Sequence, residues 1–235
     1  MHLRSFKLNK QESCLWILSV MILSVSFIVT KSNPLYLAAS IVGISALLYL
    51  AKGEPLGQML TIVFSILYAL VSYEFKYYGE IMTYLLMTLP SALIATIIWL
   101  KHPHEKTKTV VRVSSLTKKK FFILLLLTPI VTYLFYLLLK DLQTPHLLIS
   151  TLSITTSFIA SMLTFFRSRF YALFYALNDL VLIALWVLAT LYDLSFLPMV
   201  ICFIIFFGFD LYGFINWKKL SITQNHHMRD FYLEE

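Results

Sequence analysis

The sequence predicts an all-α, polytopic membrane protein with eight transmembrane helices. Two triples of helices flank a linker helix in a 3+1+3 helix-bundle repeat core, and one extra N-terminal helix precedes them. Three observations carry this reading. The 235-residue chain is 59% hydrophobic and only 13% charged, with a mean hydropathy of +0.79. A soluble domain carries about 25% charged residues, so the polar surface is too scarce to cover a globule in water. The apolar residues gather in stretches that match the ~20 residues a helix needs to cross a bilayer. The basic residues, which give a net charge of +7, fall between those stretches. That is a pattern of membrane topology rather than a nucleic-acid footprint.

The spans fall at 13–30, 34–51, 56–73, 80–100, 121–139, 146–166, 171–191 and 197–216. Arg4, Lys7 and Lys10 precede the first, as in a signal peptide, but no small-x-small cleavage site follows it, so it reads as an uncleaved helix. The breaks between spans carry the residues that end helices: Lys31-Ser32-Asn33-Pro34, Lys52-Gly53-Glu54-Pro55, Gly79, Asp141 to Pro145, and Asp193 to Pro198. The resulting divisions are 1–32 (a cytoplasmic segment and the extra helix), 33–100 (first triple), 101–145 (a basic cytoplasmic loop and the linker helix), 146–219 (second triple) and 220–235 (a cytoplasmic tail). Cys14 and Cys202, both in apolar runs, give neither a disulfide framework nor a cysteine zinc site.

Charge orients the chain. With eight spans, 16 of the 19 Lys and Arg lie on one side, and only Lys31, Lys76 and Lys140 on the other. The positive-inside rule then places both termini and the basic loop in the cytoplasm of a cell-membrane protein. That loop reads as a solvated segment, with contact to anionic lipid as the alternative.

The triples show a trace of duplication. Sliding the sequence by 118 residues sets Trp99 on Trp217, Lys101 on Lys219, Tyr68 on Trp186 and Thr61 on Asp179. Three helices invert direction, so one linker helix makes the two triples parallel, as in transporters built from repeats.

Polar residues inside the spans point to a hydrated centre. At 100° per residue, Gln58, Thr61, Ser65, Tyr68 and Ser72 share an arc of about 80°, and Tyr175, Asn178, Asp179, Leu182 and Trp186 one of about 100°. Ser150, Ser153, Ser157, Ser161 and Thr164 align similarly, although small residues also serve simple helix packing. Asp179 stands out, because a carboxylate at mid-membrane costs roughly 2.5–3.5 kcal/mol and therefore faces a cavity or a partner. Asp210 invites the same reading but lies nearer the cytoplasmic end, where a structural role against Lys218 or Arg167 stands equally open. Pro90 and Pro129 are expected to bend spans four and five. His102, His104, His226 and His227 read as solvated, and His146 opens span six on the outer side.

These residues also carry a family likeness. Leu50-Ala51-Lys52-Gly53, Tyr68, Tyr78-Gly79-Glu80, Pro90 and Trp99 resemble the first half of the PnuC-type transporters. Asn178-Asp179 ahead of Trp186, and the run Asp210 to Lys219, resemble the second. The likeness covers about 35–219. It implies a SWEET-like 3+1+3 fold and uptake of nicotinamide riboside, the vitamin precursor of NAD. It further implies facilitated diffusion, a functional link to a cytoplasmic riboside kinase that traps the product, and no cofactor. Gln58, Thr61, Tyr68, Tyr175, Asn178, Asp179 and Trp186 are the candidate substrate-binding residues: Trp186 and Tyr68 to face the cationic ring, Asp179 to offset its charge or hold ribose hydroxyls, Asn178 and Gln58 to donate and accept.

Span seven carries one Trp where the family has a pair of the WxxW kind, which leaves another nucleoside or a small pyridine compound open. The phosphorylated mononucleotide fits less well, since no span has a Lys or Arg near its centre to receive a phosphate. An embedded hydrolase would need a HExxH-like pair or an activated nucleophile, and neither occurs. No Walker motif is present. A substrate-binding subunit of a larger transport complex stays open as a rival, as does a homo-oligomer.

Overall fold

The computed structural model describes residues 8–74, 77–104 and 109–233, with side chains to residue 224. Five of the charges used for orientation (Arg4, Lys7, Lys76, Lys106, Lys108) and the side chains of His226, His227 and Arg229 lie outside that set. Eight helical spans long and apolar enough to cross a membrane occur among the described residues, and the protein is a multi-pass membrane protein.

Local chemistry sets the helix ends. Helix α1 (Lys10–Thr30) begins with a capping box, in which Asn9 Oδ1 accepts from the Glu12 amide and Glu12 Oε2 accepts from the Asn9 amide, both at 2.8 Å. Helix α2 (Pro34–Ala51) starts with Asn33 as its cap and Pro34 in the first turn, where a missing N–H is harmless. Gly53, at φ +72°, then turns the chain into α3 (Pro55–Glu74). A Cβ at Gly57 would sit 2.5 Å from the Leu50 amide nitrogen, so only glycine lets α2 and α3 approach this closely.

The fourth span is compound: α4 (Tyr78–Met82), a π-helical segment (Thr83–Thr88) and α5 (Leu89–Lys101). Pro90 is the reason. The wide turn hands the Leu89 amide to the Tyr84 carbonyl, five residues back, and the helix restarts with Pro90 in its first turn. Pro129, by contrast, sits inside an unbroken α6 (Lys118–Asp141).

The second triple comprises α7 (Leu147–Phe165), α8 (Tyr171–Thr190) and α9 (Leu197–Leu233). The backbone of α9 stays helical for 37 residues. At about 1.5 Å per residue that exceeds the ~30 Å hydrocarbon core, so its C-terminal turns project beyond the bilayer.

Helices α2 and α9 pack together, as do α5 and α7. The first helix of each triple thus meets the last helix of the other, and this reciprocity is what parallel repeats around an axis produce. Helix α1 rests on α2 and α9, and α6 packs on α7. Both are peripheral: they present Leu18, Val25, Ile28, Phe122, Leu125 and Leu134 outward as a lipid-facing surface.

Candidate functional site

Between the two halves lies a cavity of about 60 Å³. Its walls come from both triples: Leu47 and Leu50 of α2, Gln58, Thr61 and Phe64 of α3, Tyr84 and Thr88 of the π-helical segment, Ser157 of α7, Tyr175, Asn178 and Asp179 of α8, and Phe206 and Asp210 of α9. Five of the seven residues singled out from the sequence are therefore brought together: Gln58, Thr61, Tyr175, Asn178 and Asp179. The polar arc of α8 faces inward because its neighbours on that face bond to the serines of α7. Asn178 Oδ1 accepts from Thr156 Oγ1 at 2.8 Å and from Ser153 Oγ at 3.3 Å. The Tyr175 hydroxyl lies 3.3 Å from Ser161 Oγ. The serine stripe of α7 thus orients the cavity-lining side chains as well as packing the helices.

Asp179 and Asp210 form a pair. Both are buried and both line the cavity. Asp179 Oδ2 has no hydrogen-bond partner among the described residues. A buried polar atom left in this way calls for a ligand or a solvent hydrogen bond. Of the two roles the sequence left open for Asp210, the structure places it in the cavity wall. No Lys, Arg or His is among the described residues lining this cavity.

Tyr68 and Trp186 stand one layer behind the wall. Trp186 Nε1 donates to the Tyr68 hydroxyl at 2.9 Å, and both side chains are fully buried. Tyr68 packs on Tyr84 and Phe64, with ring centres 4.3 and 5.5 Å away, and these two rings do line the cavity. On its other side Trp186 meets Tyr77 at 5.2 Å and Phe196 at 6.4 Å. Tyr77 and Phe196 in turn line an open vestibule of about 570 Å³ with Glu74, His146 and Tyr192. The pair therefore plugs the path between this vestibule and the cavity.

A second plug closes the opposite end. Trp99, Tyr171 and Trp217 cluster with ring centres 4.7 to 6.4 Å apart. The Leu50 carbonyl, at the last turn of α2, accepts from Trp217 Nε1 at 2.8 Å and Tyr171 Oη at 3.0 Å. Side chains of the second half thus satisfy a carbonyl that a helix end leaves without an intrahelical donor. Beyond it the loop after α5 is bound across the helix ends: the Val111 amide donates to the Gly53 carbonyl at 2.9 Å, and Gln224 of α9 bridges the Val111 carbonyl and the Val113 amide.

The sequence missed the contributions of Phe64, Tyr84, Thr88 and Phe206 to the wall. Phe64 and Phe206 are ordinary apolar residues in ordinary apolar helices. Tyr84 and Thr88 turn inward on a π-helical register that a count of 100° per residue does not follow.

Comparison with known proteins agrees with this architecture. A solved structure of the vitamin B3 transporter PnuC matches with a TM-score of 0.80 over 93% of this chain and 94% of that one, at 24% identity. The nicotinamide riboside transporter PnuC of Neisseria mucosa is 27% identical over 212 residues, which is 87% of this chain and 80% of the relative. The family model described as nicotinamide mononucleotide transporter matches residues 33–219, both triples and the linker, and leaves α1 outside. With its two triples closing on one cavity, this chain belongs to the nicotinamide mononucleotide transporter family and is a membrane transporter, not an enzyme.

Proposed function

We propose that this chain takes up nicotinamide riboside across the cell membrane by facilitated diffusion, with phosphorylation inside the cell by a riboside kinase maintaining the gradient. The observation that carries the substrate is the charge of the cavity wall: two carboxyl groups, an amide pair and four aromatic rings, with no cation among the described lining residues. A pyridinium riboside, positively charged in its ring and rich in hydroxyls, complements that wall. A phosphate ester would meet two carboxyl groups and no cation. Asp179 and Asp210 offset the ring charge, Asn178 and Gln58 bond the ribose, and Phe64, Tyr84 and Tyr175 offer faces worth ~1–2 kcal/mol per desolvated cation–π contact. Tyr68 and Trp186 meet the ligand on its way in, when their plug parts.

The volume supports a moving mechanism. Small-molecule sites occupy about 300 Å³ or more, and this cavity measures about 60 Å³. Binding therefore requires the halves to separate, as rocking of one repeat against the other would achieve. The basic end, with Lys52, the 101–120 loop, Arg167 and Arg169, faces the cytoplasm on this reading.

Reconstitution of this chain alone in liposomes tests the proposal. Labelled nicotinamide riboside should enter saturably, in preference to its phosphate and to free nicotinamide, with other nucleosides as competitors. Asp179→Asn should lower uptake at least about tenfold, since removing a desolvated charge partner costs about 2–5 kcal/mol. Equal uptake by the variant, or preference for the phosphate, would overturn it. Binding without uptake would instead identify a subunit of a larger complex.

A further inference from the structure

A separate cavity lies at the basic end. It measures about 640 Å³ and is lined by His102 after α5, by Arg112, Ser114 and Ser115 of the loop, by Arg167, Ser168 and Arg169 of the α7–α8 turn, and by Ser221 of α9. None of the described residues lining it is acidic. The three arginines come from two segments that the chain binds together: the Ser114 amide donates to the Arg167 carbonyl at 3.0 Å. Lys120 stands beside the lining, its ammonium group donating to Ser114 Oγ at 2.7 Å. Arg169 lies over the Phe170 ring, 5.0 Å from its centre, which holds the guanidinium in place. Partial burial, and then the nearby Arg112, push the Arg167 guanidinium below its ordinary value.

We propose that this pocket binds a phosphate-bearing ligand. Planar guanidinium groups match phosphate oxygens two at a time, and the serine hydroxyls supply further donors around them. The volume exceeds the ~300 Å³ at which small-molecule sites begin, so a nucleoside monophosphate or an anionic lipid headgroup both fit. The chemistry is shared by the two sources, and only the route of access differs. The central cavity, with two carboxyl groups, and this pocket, with three arginines, thus select ligands of opposite charge within one chain.

The test uses the full chain in phosphatidylcholine nanodiscs. Radiolabelled orthophosphate and AMP, with adenosine as the phosphate-free control, probe the free-anion source. Native mass spectrometry from mixed phosphatidylcholine–phosphatidylglycerol nanodiscs probes the lipid source. Orthophosphate and AMP binding saturably, adenosine not, and the Arg167→Gln/Arg169→Gln variant binding at least about tenfold more weakly would assign the site to a soluble phosphate. Preferential retention of phosphatidylglycerol, lost in the same variant, would assign it to a headgroup. A second measurement needs no variant: the bound anion should protect Arg167 and Arg169 of the parent protein from phenylglyoxal. The proposal is overturned if neither anion is preferred over its uncharged counterpart, if the preference is unchanged in the variant, or if the arginines are not protected. Riboside uptake is scored separately and does not enter this outcome.

Discussion

The two aromatic plugs lie at opposite ends of the cavity, each built from both halves, but are secured differently. At the vestibule end, among the described residues, Tyr68 and Trp186 join side chain to side chain within a set of packed rings. At the basic end, Trp217 and Tyr171 both donate to one main-chain carbonyl, that of Leu50, which also accepts from the Gly53 amide. Trp99 adds a longer bond to the Thr164 carbonyl at 3.4 Å, and the Gln224-bound loop lies across the top. A plug fastened to rigid backbone by several donors tolerates the loss of one. A plug whose described hydrogen bond runs from one side chain to another has less to fall back on. The vestibule end is therefore the readier to open.

The comparison can be broken by substitution, starting with the largest effect. Trp99→Ala removes a fully buried indole from the fastened plug. It should cost about 3–5 kcal/mol, read as a lowered thermal unfolding midpoint in detergent. Next, Trp186→Phe leaves the buried Tyr68 hydroxyl facing a phenyl ring, at a cost of about 1–3 kcal/mol. It should also speed reaction of buried Cys202 with a membrane-impermeant maleimide. Adding Tyr68→Phe should recover most of that stability, because removing both partners of a buried bond is nearly neutral. Trp217→Phe should cost only ~1 kcal/mol, since Leu50 keeps two donors. If Trp217→Phe proved as damaging as Trp186→Phe, the contrast between a shared and an unshared fastening would be wrong.

The smallest effect concerns pH. Glu54, in the turn beneath the fastened plug, lies 3.4 Å from Lys52, yet burial outweighs that partner and raises its carboxyl above the ordinary value of 4.5. For a native value that is raised, the stabilising contribution is complete below the unfolded value and disappears as pH climbs through the native one. Relative to Glu54→Gln, the parent should lose stability as pH rises above about 4.5. Unfolding midpoints of the two proteins that run parallel across this range would remove the effect.

The offset of 118 residues shows where sequence reading gains and loses force. Aligning Tyr68 with Trp186 and Trp99 with Trp217 marks these residues as equivalent. In the fold they are also neighbours: the first pair is hydrogen-bonded, and the second has ring centres 5.3 Å apart. Equivalent positions near the axis between two repeats must meet, whereas those far from it do not. Periodicity could place Tyr68 and Trp186 on the inward faces of their helices, but it has no radial coordinate. It could not separate a residue lining the cavity from one a layer behind. Nor could it find Tyr84, which a π-helical turn swings inward, or bring Asp210 of α9 to Asp179 of α8 in one cavity wall.

Solvent explains the division. Exclusion of water from the bilayer forces every span to be long, apolar and internally hydrogen-bonded, and those demands are written residue by residue, so the spans, their alternation and the two triples were determined by the sequence alone. Which buried polar groups share a cavity depends on how the helices rotate and cross, and those choices are settled by packing between separate helices. Only the tertiary structure decided that Asp179 and Asp210 would face one another between two plugs of aromatic rings.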